Sequence, residues 1–183
     1  VFGPSKEGAR LEADKCFAKE IMREASVPTA EGRSFESANA ARRYLLRGFD
    51  RELHGLGLEE ESAVIEGWFD TADDRGVVPM PQFSEKLADV LAKRNEPVVI
   101  KASGLAAGKG VVVCSTTAQA LQAIEDLMID QIHGSAGDRV IIEEMLEGQE
   151  VSVLALIDGN TIWILDPPTP LSSSSYRRVA APT

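Results

Sequence analysis

Apolar residues in the first part of the chain recur at helical spacing. Between Glu12 and Ala25, Cys16, Phe17, Ile21 and Met22 form one stripe, which predicts a helix. Val27-Pro28-Thr29 ends it. Ser37 to Leu46, rich in alanine and leucine, predicts a second helix with Ser34 or Ser37 as its cap. Past Arg47 the pattern loses definition. Residues 47–95 are crowded with acids (Glu59, Glu60, Glu61, Asp70, Asp73 and Asp74), and only Leu87 to Lys93 reads as helix.

The period then changes. Pro97-Val98-Val99-Ile100 is a β-branched run that predicts a buried strand. Gly104 to Gly110 is a glycine-rich turn and Val111 to Cys114 a second strand, so the pair predicts a hairpin with a flexible loop between its arms. Thr117 to Ile129 is helical, with Ala120, Leu121, Ile124, Leu127 and Met128 on one face. Arg139 to Glu144 predicts a strand. Glu150 to Leu156 predicts another, with Val151 and Val153 alternating, and Asp158-Gly159-Asn160 turns it back into Thr161 to Leu165. Helices and hairpins in this order predict an α+β fold with a largely antiparallel sheet and no internal repeat.

Composition narrows the function classes. The 183 residues are 44% hydrophobic and 26% charged, enough for one globular domain or two small lobes. A net charge of −10 repels phosphate backbones and argues against a nucleic-acid partner. It leaves ATP open, because amides and lysines clustered locally hold phosphate inside an acidic protein. Cys16 and Cys114 suit neither a disulfide framework nor a zinc site, and His54 and His133 are too few for a histidine metal cluster. No apolar run reaches about 18 residues, so no membrane span is expected. VFGPSKEGAR is not a signal peptide, and a cytoplasmic setting is expected. Opening on Val1-Phe2-Gly3-Pro4, which reads as a strand entering a turn, the chain is expected to begin inside a larger protein. Its end, LSSSSYRRVAAPT, has the composition of a loose tail.

Three local features bear on chemistry. The first is VVIKASGLAAGKGVVV, residues 98–113, with Lys101 at a strand end before Gly104, Gly108 and Gly110. Small residues let backbone amides approach a ligand, amides aimed one way form an anion nest, and Lys101 and Lys109 add charge, which together suits a polyphosphate. The spacing is not a Walker P-loop, and the turn opens onto a strand, not a helix, so a Rossmann fingerprint fails as well. A tight hairpin with two solvated lysines would use the same residues. The second is IIEEMLEGQEVSVLAL, residues 141–156, whose backbone could hydrogen-bond an adenine edge and whose carboxylate could accept from ribose hydroxyls; a plain acidic turn is the alternative. The third is Lys15 in LEADKCFAKE, for which simple solvation is the alternative.

In this order the three features resemble the ATP-grasp fold, and specifically the phosphoribosylamine–glycine ligase family. The blocks that carry the resemblance are residues 1–30, 97–113 and 137–162. Ser103 and the phrase EVSVLALIDG are more similar to the eukaryotic, fungal-like forms. The resemblance implies an ATP-grasp small nucleotide-binding lobe plus the start of the second lobe. It implies ATP-dependent joining of glycine to phosphoribosylamine through glycyl phosphate, with ADP and phosphate released. Lys15 and Lys101 would contact ATP phosphates, and the loop Gly104, Leu105, Ala106, Gly108, Lys109 and Gly110 would close over them. Glu143, Glu144 and Leu146 would line the adenine, and Glu150 would hold the ribose. Mg²⁺ would bridge the β- and γ-phosphates on ligands that the matched residues do not include, so the isolated chain is expected to lack full catalysis. A nucleotide-binding or partner-packing fragment without catalysis, or another ATP-grasp carboxylate–amine ligase, are the rival readings. Residues 1–10 would be the end of an N-terminal domain or linker, and 11–165 a partial ATP-grasp domain. The unmatched 47–95 would be a surface insertion, or alternatively a genuine loop in which Gly67-Trp68-Phe69 and Leu87 to Lys93 bury apolar residues, and 166–183 a tail outside the family.

Overall fold

The computed structural model describes residues 3–70, 78, 80–149, 151–158 and 161–165, in two compact units, 1–145 and 146–183. Asp73, Asp74, Glu150, the Gly159-Asn160 turn and the tail from 166 lie outside the described residues.

The first unit opens with two helices, α1 (Lys6–Ala13) and α2 (Lys15–Glu24), where the sequence predicted one. The break is Asp14, extended at φ −135° and ψ 97°, which caps α2 by accepting from Phe17 N at 3.1 Å. Tertiary bonds hold it there: Ser103 Oγ donates to its Oδ1 and Arg139 to its Oδ2. A short strand β1 (Gly32–Phe35) follows, then α3 (Ala38–Leu45), capped by Ser37 Oγ, which accepts from Ala40 N. Next come α4 (Phe49–Gly55), α5 (Glu59–Asp70) and α6 (Glu85–Lys93). The predicted hairpin is β2 (Val98–Ala102) and β3 (Val111–Cys114), with Lys101 opposite Val111. Helix α7 (Thr117–Ile124) begins with a Thr116/Gln119 capping box.

Helix α7 was expected to reach Ile129. Instead it widens at Glu125 into a π turn, in which Asp130 N donates to Glu125 O. The chain passes there against Gly137, where a Cβ would lie 1.9 Å from Leu127 O. Strand β4 (Val140–Glu144) then enters the middle of a four-stranded antiparallel sheet of order β1-β4-β2-β3.

The described residues of 47–95 pack into the core, as the alternative of a loop with buried apolar residues had it, and do not stand open at the surface. Phe49, Leu53, Leu87 and Leu91 are at most 1% exposed, and Ile65, Trp68, Phe69 and Val78 are buried beside them. They share one core with Ile100, Ile124, Leu127 and Ile142. Buried cations tie them in. Arg94 donates to Leu45 O at 2.9 Å and pairs with Glu52 at 3.0 Å. Arg42, fully buried, pairs with Glu125, donates to Val78 O and stacks over Trp68 at 4.8 Å. Limited proteolysis is therefore expected to spare α4 and α6 as long as it spares β2 and β4. First cleavage within Phe49–Gly55 or Glu85–Lys93 would contradict this packing.

The second unit contains β5 (Ala155–Asp158) and β6 (Thr161–Ile164), antiparallel with Ala155 opposite Ile164. Its first strand starts later than the predicted Glu150, since Val151 to Val153 face no partner strand among the described residues. A two-stranded hairpin has no second layer of its own, and Ile157 and Trp163 stay 71% and 67% exposed.

Candidate functional site

The site of interest grows from one end of β2. Lys101 pairs with Ile141 in the sheet register, so Glu143, two residues along β4, lies diagonally on the same face. Lys101 Nζ meets Glu143 Oε2 at 2.7 Å, and Lys19, from α2, reaches Oε1 of the same carboxylate at 2.8 Å. Lys19 also donates to Thr29 Oγ1 and Ala30 O. Burial pushes the Glu143 carboxyl upward, but the hydrogen bonds from Lys101 and Lys19 outweigh it and leave the group below its usual range. Gly32 is required opposite: a Cβ there would sit 2.7 Å from Glu143 Cγ and 2.8 Å from Ile142 O.

Lys15 arrives from the N-terminus of α2. Its ammonium donates to Ala102 O at 3.0 Å and Gly104 O at 2.9 Å. Burial lowers the pKa of Lys15, and the charge of Lys101 lowers it further, with an opposing pull from Cys16. Lys101, by contrast, spends its charge on the Glu143 carboxylate, so the two lysines leave the end of β2 on different partners.

The loop itself uses its small residues in different ways. A Cβ on Gly104 would lie 2.7 Å from Ala136 Cα, and one on Gly110 would lie 2.7 Å from Ala106 Cβ, so both glycines serve close packing. Ala107 and Gly108 sit in the left-handed region, at φ 49° and 78°. Two of the amides expected to form the nest are engaged within the chain: Gly104 N donates to Ala136 O and Lys109 N to Ala106 O. Leu105 is 66% exposed, and Lys109 is exposed with its carbonyl against His133 Nε2 at 3.1 Å.

Asp14 closes the site from below. Burial raises its pKa, but Phe17 N, the Ser103 hydroxyl and Arg139 together bring it down to about 2. The folded value lies below the ordinary 3.8. The carboxylate therefore adds stability that is fully present above about pH 4 and is lost as pH falls toward 2. Acid titration of Asp14→Asn is expected to lack that portion of the loss, which urea melts between pH 5 and 2 would measure.

Lys15, Lys101 and the loop Gly104–Gly110 thus gather at one end of β2, with Glu143 beside them. Glu144 points elsewhere and accepts from Glu31 N at 2.8 Å. Next to Glu143 and Glu144 opens a cleft of about 780 Å³, of a size that suits a nucleoside. Leu146 belongs to the second unit, and Glu150 lies outside the described residues. Sequence reasoning missed Lys19, Asp14 and Arg139. Lys19 had a signal, its four-residue spacing from Lys15 on one helical face. Arg139 had none. Among the described residues no group of three or more His, Cys, Asp or Glu could hold a metal ion. No described helix is long and apolar enough to cross a membrane.

A helix-borne lysine, a strand-borne lysine and a small-residue loop between antiparallel strands thus meet at one end of the sheet. The model of the phosphoribosylglycinamide synthetase ATP-grasp (A) domain matches residues 79–178, more than half of the chain, and the chain belongs to that family. It is 42% identical over 167 residues to phosphoribosylamine–glycine ligase of Rhodopirellula baltica, covering 91% of this chain and 29% of that protein. To a bifunctional purine biosynthetic protein of Pichia angusta it is 33% identical, covering 91% of this chain and 15% of the relative. The bacterial protein shares more identity than the yeast one, against the fungal leaning of Ser103. A crystal structure of phosphoribosylamine–glycine ligase from Thermotoga maritima aligns with a TM-score of 0.54 at 27% identity, over 90% of this chain and 30% of that one. The chain thus spans less than a third of the length of these relatives.

Proposed function

We propose that the chain is the ATP-gripping part of a ligase that joins glycine to phosphoribosylamine in purine biosynthesis, in a cytoplasmic setting. The observation that carries this is that Lys15, held on Ala102 O and Gly104 O, and Lys101, near the end of β2, both stand beside the start of the Gly104–Gly110 loop. In this reading the two ammoniums hold the ATP phosphates and the loop covers them. The cleft beside Glu143 and Glu144 takes the nucleoside. The glycine carboxylate takes the γ-phosphoryl group to give glycyl phosphate and ADP, and the amine of phosphoribosylamine then displaces phosphate. This chain's share is binding and orientation of the nucleotide: fixed cations aimed at the phosphates stabilise charge without reorganising. Residues that would hold the Mg²⁺ accompanying ATP are not grouped among the described His, Cys, Asp and Glu of this chain.

Calorimetry of the 183-residue chain with ATP and with ADP tests the reading. Saturable binding of both is the expected result, and no binding overturns it. An assay for ADP release then separates the readings further. Release that needs both glycine and phosphoribosylamine supports this ligase. Release with a different carboxylate and amine points to another ATP-grasp ligase. Binding without release under any pairing is the result expected if this chain alone supplies only the nucleotide grip.

A further inference from the structure

Three segments far apart in the chain meet in a closed ring at the foot of the glycine loop. Ser103 Oγ donates to Asp14 Oδ1 at 2.9 Å, Arg139 donates to Asp14 Oδ2 at 2.8 Å, and Ser103 N donates back to Arg139 O at 2.8 Å. Ser103 is 3% exposed. Its remaining bonding capacity goes to α2: its carbonyl accepts from Lys15 N at 2.9 Å and its hydroxyl oxygen from Cys16 N at 3.2 Å. Resting on the nucleotide reading above, we propose that Asp14 is a positioning residue for the phosphate grip. It acts through Ser103 to hold Lys15 and the start of the loop in fixed relation.

Helix capping alone does not account for this arrangement. A cap needs only the bond from Phe17 N to Asp14 Oδ1, at 3.1 Å. The bonds to Ser103 and Arg139 go beyond that cap: Ser103 takes the first two amides of α2 onto the segment that follows β2, and Arg139 ties in the residue before β4. They anchor the segment that the Lys15 ammonium also grips, since Lys15 Nζ donates to Ala102 O and Gly104 O, the carbonyls on either side of Ser103. If Ser103 rotates, both acceptors of Lys15 move, and so does the point from which the loop departs. Displacing a positioned group by an ångström weakens its bond to ligand far more than it weakens the fold.

The test compares wild type, Asp14→Ala, Asp14→Asn and Ser103→Ala. Ser84→Ala, which removes the cap of α6, serves as the control for simple cap loss. ATP affinity is read by calorimetry, and amide exchange is read without nucleotide. Asparagine keeps an Oδ1 acceptor for Phe17 N and Ser103, so Asp14→Asn is expected to bind ATP within about threefold of wild type. Asp14→Ala is expected to bind about tenfold more weakly, Ser103→Ala in between, and Ser84→Ala as wild type does. In Asp14→Ala the amides of Lys15, Cys16 and Gly104 are expected to exchange faster together. An Asp14→Ala protein that melts lower yet binds ATP normally, with Gly104 still protected, would reduce Asp14 to a cap and overturn the inference. Failure of the wild type to bind ATP is a separate result: it removes the nucleotide reading, and this inference with it.

Discussion

Lys101→Ala weakens ATP binding by about tenfold or more, because a charge-assisted bond to phosphate contributes about 1.5–3 kcal/mol. The fold is expected to survive, since Glu143 keeps its second cation, Lys19, at 2.8 Å, and the Lys101 side chain is already 31% exposed. Lys101→Arg retains charge but not the compact ammonium, and falls between the two. Lys109→Ala should do less than Lys101→Ala, because Lys109 lies on the exposed side of the loop. Equal affinities for wild type and Lys101→Ala, at matched ionic strength, would remove Lys101 from the phosphate site.

Phe49→Ala lowers stability by about 3–5 kcal/mol, the usual cost of deleting a fully buried aromatic ring. Phe49 is 0% exposed and lies under the Arg94 guanidinium, whose centre is 5.1 Å from the ring centroid. Arg94 in turn grips Leu45 O and Glu52, so the ring sits where α3, α4 and the entry to β2 meet. The measurement is the urea midpoint at unchanged m-value. A loss below about 1 kcal/mol would mean that α4 is peripheral, as the acid-rich composition first suggested.

Those two residues also mark what could and could not be read in advance. Lys101 announced itself because a β-branched run, a lysine and a small-residue turn are local and contiguous, and local patterns survive in sequence. Glu143 stood out as part of an acidic pair, but one of its two partners did not: Lys19 lies 124 positions away in the chain. Asp14 interrupted a helix read as continuous from Glu12, because its competing partners, Ser103 and Arg139, flank strands far away in the chain. Tertiary bonds overrode local periodicity there. In 47–95 the apolar positions were present at helical intervals, Phe49 and Leu53 among them, but the surrounding acids obscured them. Strand β1 gave almost no signal, since Gly32–Phe35 is an edge strand with one large apolar residue.

Ala107 has a further consequence. An alanine held at a φ of 49° carries strain that glycine in the same place would not. Its side chain also excludes many shapes that a run of glycines would sample. The loop between β2 and β3 therefore behaves less like a free tether and more like a jointed arm, with its freest joint at Gly108. On the proposed nucleotide reading, less disorder has to be given up when a phosphate arrives, and part of the selectivity resides in the shapes the empty loop never visits.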